Sequence, residues 1–370
     1  ILWTDILWAM LYARTHTRDV REKRSVSADC SHMRYNCVMK NLRVGVLRGG
    51  PSGEYTESLG TGSAVLQNLP ESSIGIDIFI GRDGVWHVGG IPTKPGNILS
   101  RVDVIWNALH GAYGEDGTVQ RMLEMFGVPY TGSEPHASFV GMNKSRAKDD
   151  LKDAGIRMAR HTLFRTGEEA PNAAAHNIFT NSAPPWIIKP IAGGSSIGIC
   201  VARTFPELIS ALTTIASGAS RNGAYIVEER VRGKEATVGV INGFRGEEIY
   251  VLPPVEIRPP EKSQFFDYTA KYSGESEEIC PGNFSRKESD ALMDVAKRVH
   301  KTLGLRHYSR SDFIVSRGRI YFLEVNTLPA LTEKSLFPKA LDAVGASLAH
   351  FIEHVLGQTL TKKVRGSMPT

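Results

Sequence analysis

The sequence predicts an α/β protein whose last part has α+β character, and two observations carry this prediction. In the first part, the apolar runs LRVGVL (42–47), IGIDIFI (74–80) and VDVIWNAL (102–109) alternate with helix-like stretches. This alternation is typical of a doubly wound parallel sheet with helices on both faces. In the last part, two apolar runs flank an Arg-Gly-Arg turn, as in a β-hairpin. The 370 residues, 41% of them hydrophobic, have room for about two or three domains.

The first domain is predicted over residues 39–132. Its opening strand leads through the loop RGGPSG into the helix-like stretch EYTESLGTGSAVLQNL. The third strand is followed by a glycine-rich loop, HGAYGEDG, and then by GTVQRMLEMFG, an amphipathic helix that ends at Gly127. Residues 1–38 contain no nucleotide-binding or catalytic motif, and we expect them to form an extension outside the fold.

Two further lobes are predicted over residues 133–225 and 226–358, followed by a basic tail at 359–370. The first lobe opens with one helix, ASFVGMNKSRAKDDLKDAG, and contains the strand PWIIKP and the loop and strand GGSSIGICVA. The second lobe contains the strands AYIVEERV and KEATVGVING, a helix over 289–305, and the hairpin. The stretch ALDAVGASLAHFIEHVLG closes the fold.

Charge and cysteine content exclude several classes of protein. The formal net charge is only +5, and much of the surplus lies in RDVREKR and TKKVRGS near the two ends, which argues against a nucleic-acid surface. The four cysteines are scattered without metal-finger spacing, as expected of a reducing compartment. No apolar run is long enough to span a membrane, and the opening segment lacks the pattern of a signal peptide. We therefore expect a cytoplasmic protein that binds neither nucleic acid nor membrane.

The hairpin SDFIVSRGRIYFLEVN places oxygen donors among apolar residues. A three-residue loop at 317–319 would put Asp312 directly opposite Glu324, with Asn326 on the same face. Two facing carboxylates repel each other unless a cation lies between them, and such oxygen ligands suit Mg²⁺. The alternative is an aspartate at the strand edge and a glutamate that points to solvent.

Two other stretches have the chemistry of a nucleotide site. Lys189 ends a strand before the loop Gly-Gly-Ser-Ser, whose backbone N–H groups could bind an anion, although the stretch lacks the spacing of a P-loop. Glu228 and Glu235 could accept hydrogen bonds from an adenine amino group and a ribose hydroxyl. Read alone, the loop is an ordinary turn and the two glutamates are solvated surface charges.

Taken together, these motifs resemble the D-alanine–D-alanine ligases of the ATP-grasp superfamily. The resemblance runs from about Met39 to Gly357 and rests on stretches that follow the family's order: LRGGPSGEYTESLGTG, ALHGAYGEDGTVQRMLEMFGVPYTGS, MNKSRAK, IIKPIAGGSSIG, EERVRGKEATV, FDYTAKY, YSRSDFIV and FLEVNTLPALTEKSLFP. It implies an N-terminal domain followed by a two-lobed ATP-grasp fold, with ATP held between the lobes.

The resemblance also assigns roles to residues of the nucleotide site. Asp312, Glu324 and Asn326 would hold two Mg²⁺ or Mn²⁺ ions. Glu228 and the backbone of Val231 would contact adenine, and Glu235 the ribose. The residues that would contact or cover the phosphates are Lys144, Lys189, Ser196 and Lys271.

For the amino-acid substrates, the resemblance implies that Glu54 grips the ammonium group of the first D-alanine together with Ser195 and Tyr272. Arg310 would stabilise the oxyanion. His110 would line the same pocket, and Ser335 would bind the carboxylate of the second substrate. Without the family, Glu54 would be a carboxylate favoured by a helix dipole, His110 a loop histidine and Ser335 a helix cap.

The expected reaction is ATP-dependent formation of D-alanyl-D-alanine, a peptidoglycan precursor, through a D-alanyl phosphate, in a protein that we expect to be a homodimer. The tyrosine at 272 resembles the branch that makes dipeptide rather than D-alanyl-D-lactate. The alternatives are another ATP-grasp ligase of a carboxylate with an amine or alcohol, and a nucleotide-binding regulatory protein with impaired chemistry. A nicotinamide dehydrogenase ranks last because GGPSG lacks the required glycine spacing.

One departure from the family pattern lies in NTLPALT, where Ala330 replaces the usual glycine. In the family, the backbone N–H at this position joins the arginine in the oxyanion hole. Alanine keeps that N–H but adopts a positive φ poorly. We expect the donor to survive.

Overall fold

The computed structural model describes residues 41–193, 198–218, 223–259 and 276–366, which form three β-sheets and the helices around them. The N-terminal sheet has the strand order β4-β3-β2-β1-β5, with β2, β1 and β5 parallel and the remaining pairs antiparallel. Its strands are β1 (Leu42–Gly49), β2 (Ser73–Ile80), β3 (Trp86–Val88), β4 (Ile91–Pro92) and β5 (Val104–Asn107).

Helices cover both faces of this sheet, which explains why β1 is buried along most of its length. The helices are α1 (Tyr55–Gln67), α2 (Pro95–Leu99) and α3 (Thr118–Met125). Val65 of α1 packs into one hydrophobic cluster and Leu123 of α3 packs into another on the opposite face. The predicted doubly wound arrangement is present, and the loop after β5 lies at its carboxyl edge, where ligand sites of such sheets are usually found.

The middle sheet is antiparallel throughout, with the order β6-β9-β7-β8. Its strands are β6 (His161–Arg165), β7 (Trp186–Pro190), β8 (Cys200–Ala202) and β9 (Ala224–Glu229), and its helices are α6 (Pro171–Asn181) and α7 (Phe205–Ser217). Both helices pack on one face around the buried Trp186. The other face is left for contacts with the rest of the protein.

The third sheet has the order β13-β12-β10-β14-β15, with β11 paired to β10. Its strands are β10 (Lys234–Asn242), β11 (Ile249–Val251), β12 (Val255–Arg258), β13 (Glu277–Ile279), β14 (Tyr308–Ser316) and β15 (Arg319–Asn326). Helix α8 (Arg286–Thr302) lies between β13 and β14, and helices α9 (Leu336–Asp342) and α10 (Leu348–Gly366) follow β15. A short 3₁₀ turn at Phe244–Gly246 lies between β10 and β11. A capping box between Ser285 and Glu288 begins α8. Helix α10 runs beyond residue 358, so the first part of the predicted tail continues the last helix.

The segment predicted as one helix from residue 137 is two helices, α4 (Pro135–Met142) and α5 (Lys144–Asp153). The chain breaks at Asn143, whose ψ of 100° is extended and whose side chain accepts a 3.1 Å hydrogen bond from the Arg146 N–H. Asparagine is a strong N-cap residue, which explains the break. The break makes Lys144 the first residue of a helix.

The N-terminal sheet and the third sheet share one hydrophobic core. Trp106 of β5 stacks on Tyr308 of β14, with 6.1 Å between ring centroids, and packs edge-on against Phe351 of α10. The apolar side chains of helices α4 and α5 likewise pack with the third sheet. The described part of the chain has no helix that is both long and apolar enough to cross a membrane.

Candidate active site

The hairpin of β14 and β15 brings its acidic residues face to face. Asp312 pairs with Glu324, as the sequence predicts, and Arg310 pairs with Asn326. The connecting loop, however, has two residues rather than the predicted three, because Ser316 pairs with Arg319. Arg317 and Gly318 both have positive φ, 50° and 72°, as a type I′ turn requires. A β-bulge between Asp312 and Phe313 shifts the register by one residue and restores the predicted pairing.

Asp312 is the centre of a hydrogen-bonded group. Arg310, two residues away on the same strand, donates Nε to Oδ1 at 3.0 Å and Nη2 to Oδ2 at 3.1 Å. The hydroxyl of the buried Thr237 donates to Oδ1 at 2.5 Å, and Asn326 Nδ2 lies 3.4 Å from Oδ2. Burial alone would lower the pKa of Arg310, but Asp312 outweighs it and raises that pKa. The guanidinium therefore stays charged in a shielded position.

The donor set on the hairpin fits a divalent metal. The described residues contain no group of three or more His, Cys, Asp or Glu side chains placed to hold a metal, and here the third donor is the amide of Asn326. Two facing carboxylates and an amide oxygen are hard ligands, which suit Mg²⁺ when phosphate oxygens complete the coordination.

Lys144 connects the hairpin to the middle sheet. Its Nζ lies 3.2 Å from Glu324 Oε2 and donates a 2.7 Å hydrogen bond to the carbonyl of Gly193, where the Gly-Gly-Ser-Ser loop begins. Its backbone N–H also donates to the carbonyl of Ile191. A cation is thus held between the predicted metal ligands and the predicted anion-binding loop.

Glu228 lies between two buried lysines. Oε2 is 2.5 Å from Lys189 Nζ and Oε1 is 2.7 Å from Lys148 Nζ, and each of the three side chains is less than a tenth exposed. Burial would raise the pKa of Glu228, but the lysines lower it to about 2. Burial lowers the pKa of Lys148, whereas Glu228 and Glu324 raise that of Lys189. The interpretation of Glu228 as a solvated surface charge is wrong, because the carboxylate is buried between cations.

The linker after Glu228 crosses to the third sheet beside a pocket of about 570 Å³ that Val231 helps to line. Glu235 follows on β10, where it pairs with Ile314 of β14. The two glutamates predicted to face adenine and ribose therefore lie at the two ends of one linker.

The loop after β5 carries His110, which is buried and whose Nε2 lies 2.8 Å from Thr61 Oγ1 of α1. Burial and the nearby Arg310 lower the pKa of His110 to about 4, so the ring is neutral at pH 7. Glu54 stands at the N-cap position of α1 but makes no side-chain cap bond. A Cβ on Gly111 would lie 2.7 Å from Glu54 Oε2, so glycine at 111 permits Glu54 to approach this loop.

Comparison with known proteins identifies the family. The family described as "D-ala D-ala ligase C-terminus" matches residues 150–357, and "D-ala D-ala ligase N-terminus" matches residues 90–133. The D-alanine–D-alanine ligase of Geobacter sulfurreducens is 35% identical over 86% of this chain and 94% of its own length. This chain belongs to the D-alanine–D-alanine ligase family. The ligase of Desulfotalea psychrophila is 33% identical over 87% of this chain and 96% of its own length.

Solved structures of ligases agree with this assignment. The VanG D-Ala:D-Ser ligase from Enterococcus faecalis has a TM-score of 0.74 and 29% identity over 86% of this chain and 100% of its own. The D-alanine–D-alanine ligase from Bacillus anthracis complexed with ATP has a TM-score of 0.71 and 26% identity over 88% of this chain and 100% of its own. The predicted fold class and the predicted family are therefore confirmed.

Four predicted site residues of this ligase lie outside the described residues: Ser195, Ser196, Lys271 and Tyr272. Ser335 is described and stands at the N-cap position of α9, without a side-chain cap bond. Its hydroxyl lies 2.7 Å from that of Thr332 instead. Ser335 thus occupies the N-cap position, as the helix-cap interpretation predicts, but its side chain does not cap the helix.

Sequence reasoning missed two charged residues of this ligase, the buried Lys148 and the half-buried Glu115. Lys148 follows Lys144 by four residues on α5, a spacing that places both on one face of the helix and could have indicated a shared site. Glu115 in HGAYGEDG receives hydrogen bonds from both its own loop and the segment after β15. Only the fold reveals these partners, since the second one is 213 residues away along the chain.

Ala330 adopts no strained backbone conformation. The non-glycine residues with positive φ in the described chain are Asn41, Tyr113, Arg245, His307 and Arg317, so Ala330 has a negative φ. The backbone at this position does not need glycine, and its N–H is present as in a glycine-containing ligase.

We therefore expect Ala330→Gly to leave kcat within about threefold of the wild-type value, since no donor is gained or lost. The added backbone freedom should lower the free energy of unfolding by about 0.5–1 kcal/mol. Steady-state kinetics and urea unfolding measure the two effects. A rise in kcat of about a hundredfold would show that alanine impairs the oxyanion donor.

Proposed function

We propose that this protein is an ATP-dependent D-alanine–D-alanine ligase that supplies a peptidoglycan precursor. The observation that carries the proposal is the cluster of Asp312, Glu324, Arg310 and Lys144 at the end of the late hairpin. The assigned family, with relatives about 35% identical over most of the chain, supports the same reaction.

The nucleotide is proposed to lie between the middle and third sheets. Lys144 and Lys189 neutralise phosphate charge, and Lys271 and Ser196, which lie outside the described residues, are proposed to contact the same phosphates. Glu228 and the Val231 backbone face adenine, and Glu235 faces the ribose. Positioning and charge neutralisation of this kind are what phosphoryl transfer chiefly requires.

Asp312, Glu324 and Asn326 are proposed to hold two Mg²⁺ or Mn²⁺ ions. When bound, such ions neutralise the phosphate charges of ATP. The chain's own contribution is to keep the ligand side chains in place: Thr237 and Arg310 fix the carboxylate of Asp312, and Lys144 balances Glu324.

The first D-alanine is proposed to bind through its ammonium group to Glu54, supported by Ser195 and Tyr272. One oxygen of its carboxylate attacks the γ-phosphorus of ATP, which gives D-alanyl phosphate and ADP. His110 lines this pocket and, because burial and Arg310 keep it neutral, it adds no second positive charge beside the substrate ammonium.

The second D-alanine is proposed to bind through its carboxylate to Ser335. Its uncharged amine attacks the acyl carbon, and the new carbon–nitrogen bond forms as the carbonyl electrons move onto oxygen. Arg310 and the N–H of Ala330 stabilise that oxyanion. When the carbonyl re-forms, the carbon–oxygen bond to phosphate breaks, and the amine nitrogen loses its proton.

We also propose the substrate, the location and the oligomeric state of the protein. The substrate is D-alanine, the protein works in the cytoplasm as a homodimer, and neither nucleic acid nor membrane is a partner.

The test is phosphate release from ATP and Mg²⁺ with D-alanine, with L-alanine or with no amino acid, and identification of the product by mass. We expect phosphate release only with D-alanine, together with an equal amount of D-alanyl-D-alanine. Adding D-serine or D-lactate beside D-alanine tests the second substrate, and we expect the dipeptide of D-alanine to dominate at neutral pH. Phosphate release without D-alanine, or mainly ester product, would contradict the proposal.

A further inference from the structure

The loop between β5 and α3 is held rigidly by side chains outside the proposed substrate contacts. Asn107 Nδ2 and Gln120 Nε2 donate to the carbonyl of Gly114 at 3.0 and 2.7 Å. Asp116 accepts 2.9 Å hydrogen bonds from the N–H groups of Tyr113 and Thr118. The carboxyl group of Glu115 is therefore presented from a fixed backbone.

Glu115 uses its two oxygens on two different parts of the chain. Oε2 accepts the N–H of Gly111 at 2.8 Å, within the same loop. Oε1 accepts the N–H of Leu328 at 3.1 Å and the hydroxyl of Thr327 at 3.3 Å, in the segment that follows β15. One carboxyl group thus ties the N-terminal domain to the segment that leads from Asn326 to Ala330.

The same segment is held at two other points by the N-terminal domain. His110 makes a hydrogen bond to the backbone of Leu328, and the N–H of Leu331 lies 3.4 Å from Thr61 Oγ1. Ala330 therefore lies between two peptides, at 328 and 331, that are anchored to the first domain. The position of its N–H depends on those anchors rather than on the strand alone.

We propose that Glu115 is a positioning residue for the coupling step: by holding Thr327 and Leu328 against the loop that carries His110, it fixes the Ala330 N–H in the oxyanion hole. This inference rests on the proposed ligase function. Glu115 touches no reacting atom in this account, and it acts through the peptide of Ala330.

The hydrogen bonds of Glu115 suit such a role because they do not require the group to be charged. Burial and the neighbouring Glu54 raise the pKa of Glu115 to about 8, so at pH 7 the group is largely a neutral carboxyl whose oxygens still accept hydrogen bonds, and Arg310 and Tyr308 lie near it on β14. Each of its three donors is a backbone N–H or hydroxyl with no charge of its own, so the attachment does not depend on an ion pair.

The experiment measures kcat for dipeptide formation and the KM for ATP in Glu115→Leu, Glu115→Gln and the wild type. Glu115→Leu should lower kcat by about 10²-fold, the loss expected when an oxyanion donor is misplaced, while the KM for ATP stays within about threefold. Glu115→Gln keeps an oxygen that can accept from Leu328 and should recover kcat to within about tenfold of the wild-type value.

Glu124→Leu is the matched control, because Glu124 also lies in the first domain and accepts one hydrogen bond, from Tyr130 at 2.9 Å. It should leave kcat unchanged. If Glu115→Leu does not fold, the variants Thr327→Val and Glu115→Gln test the inference instead. Each should lower kcat by about three- to tenfold while the KM for ATP stays constant.

An unchanged kcat in the Glu115 variants, a Gln variant as slow as the Leu variant, or a KM for ATP that rises as kcat falls would overturn the inference. A wild-type protein that makes no dipeptide would instead refute the proposed function, so the two failures are distinguishable.

Discussion

Replacing Arg310 with methionine should lower kcat by about 10²–10³-fold, the loss typical of removing one donor from an oxyanion site. Arg310 is only 15% exposed, so its charge acts with little screening by solvent. It is also the bidentate partner of Asp312, which keeps its guanidinium in a fixed orientation. Methionine has a similar apolar stem but supplies neither charge nor donor. Steady-state kinetics with D-alanine and ATP measure the effect.

Two variants separate this role from a general effect on the fold. Arg310→Lys keeps the charge but loses the planar fork, so it should recover only part of the rate. Arg258→Met removes an arginine that pairs in the same way with a carboxylate two residues away, Glu256 on β12, but is 45% exposed. It should leave kcat unchanged. A kcat for Arg310→Met within about threefold of the wild-type value would show that Arg310 does not stabilise the oxyanion.

The second large effect concerns stability. Glu228→Gln should lower the free energy of unfolding by about 3–5 kcal/mol, because it leaves the ammonium groups of Lys148 and Lys189 buried without their carboxylate. Glu229→Gln, on the next residue of the same strand and partly exposed, should change it by less than about 1 kcal/mol. Urea unfolding measures both. Adding Lys148→Met to Glu228→Gln should restore part of the loss, since one unpaired charge disappears.

The pairing of Glu228 with Lys148 and Lys189 also makes the free energy of unfolding depend on pH. The pKa of Glu228 is about 2 in the folded protein and 4.5 ordinarily. Below its ordinary pKa the unfolded chain binds a proton that the folded chain does not, so the free energy of unfolding decreases as the pH falls. The contribution is complete above pH 4.5 and is lost progressively towards pH 2. Glu228→Gln should lack this loss between pH 4.5 and 2, and an unchanged acid profile in the variant would show that Glu228 is not held as an anion.

The hairpin shows how far sequence reasoning reached and where it failed. Alternation along the strands placed Asp312, Glu324 and Asn326 on one face, because side-chain period in a strand is fixed by backbone geometry. The loop length was wrong by one residue, and a bulge that the sequence does not signal compensated for it. The pairing of Asp312 with Glu324 was therefore predicted correctly, although the loop length from which it was derived was wrong.

Other residues were not predicted from the sequence for a different reason. Asn143 could have indicated the break between α4 and α5, since asparagine before a charged stretch is a helix-start signal. Glu115 and Lys148 gave little local signal. Their importance lies in partners 213 and 80 residues away, and such long-range contacts are decided by the packing of the sheets.

The most direct test of the account follows the oxygen atoms of the substrate. D-alanine labelled with ¹⁸O in its carboxylate is supplied with ATP and Mg²⁺, and the released phosphate is analysed by mass. Activation of the carboxylate by phosphorylation predicts that each phosphate carries a single ¹⁸O atom, because the bridging oxygen leaves with phosphorus when the amine attacks carbon. Unlabelled phosphate released together with dipeptide would contradict the acyl phosphate and the arrangement of charges proposed to make it.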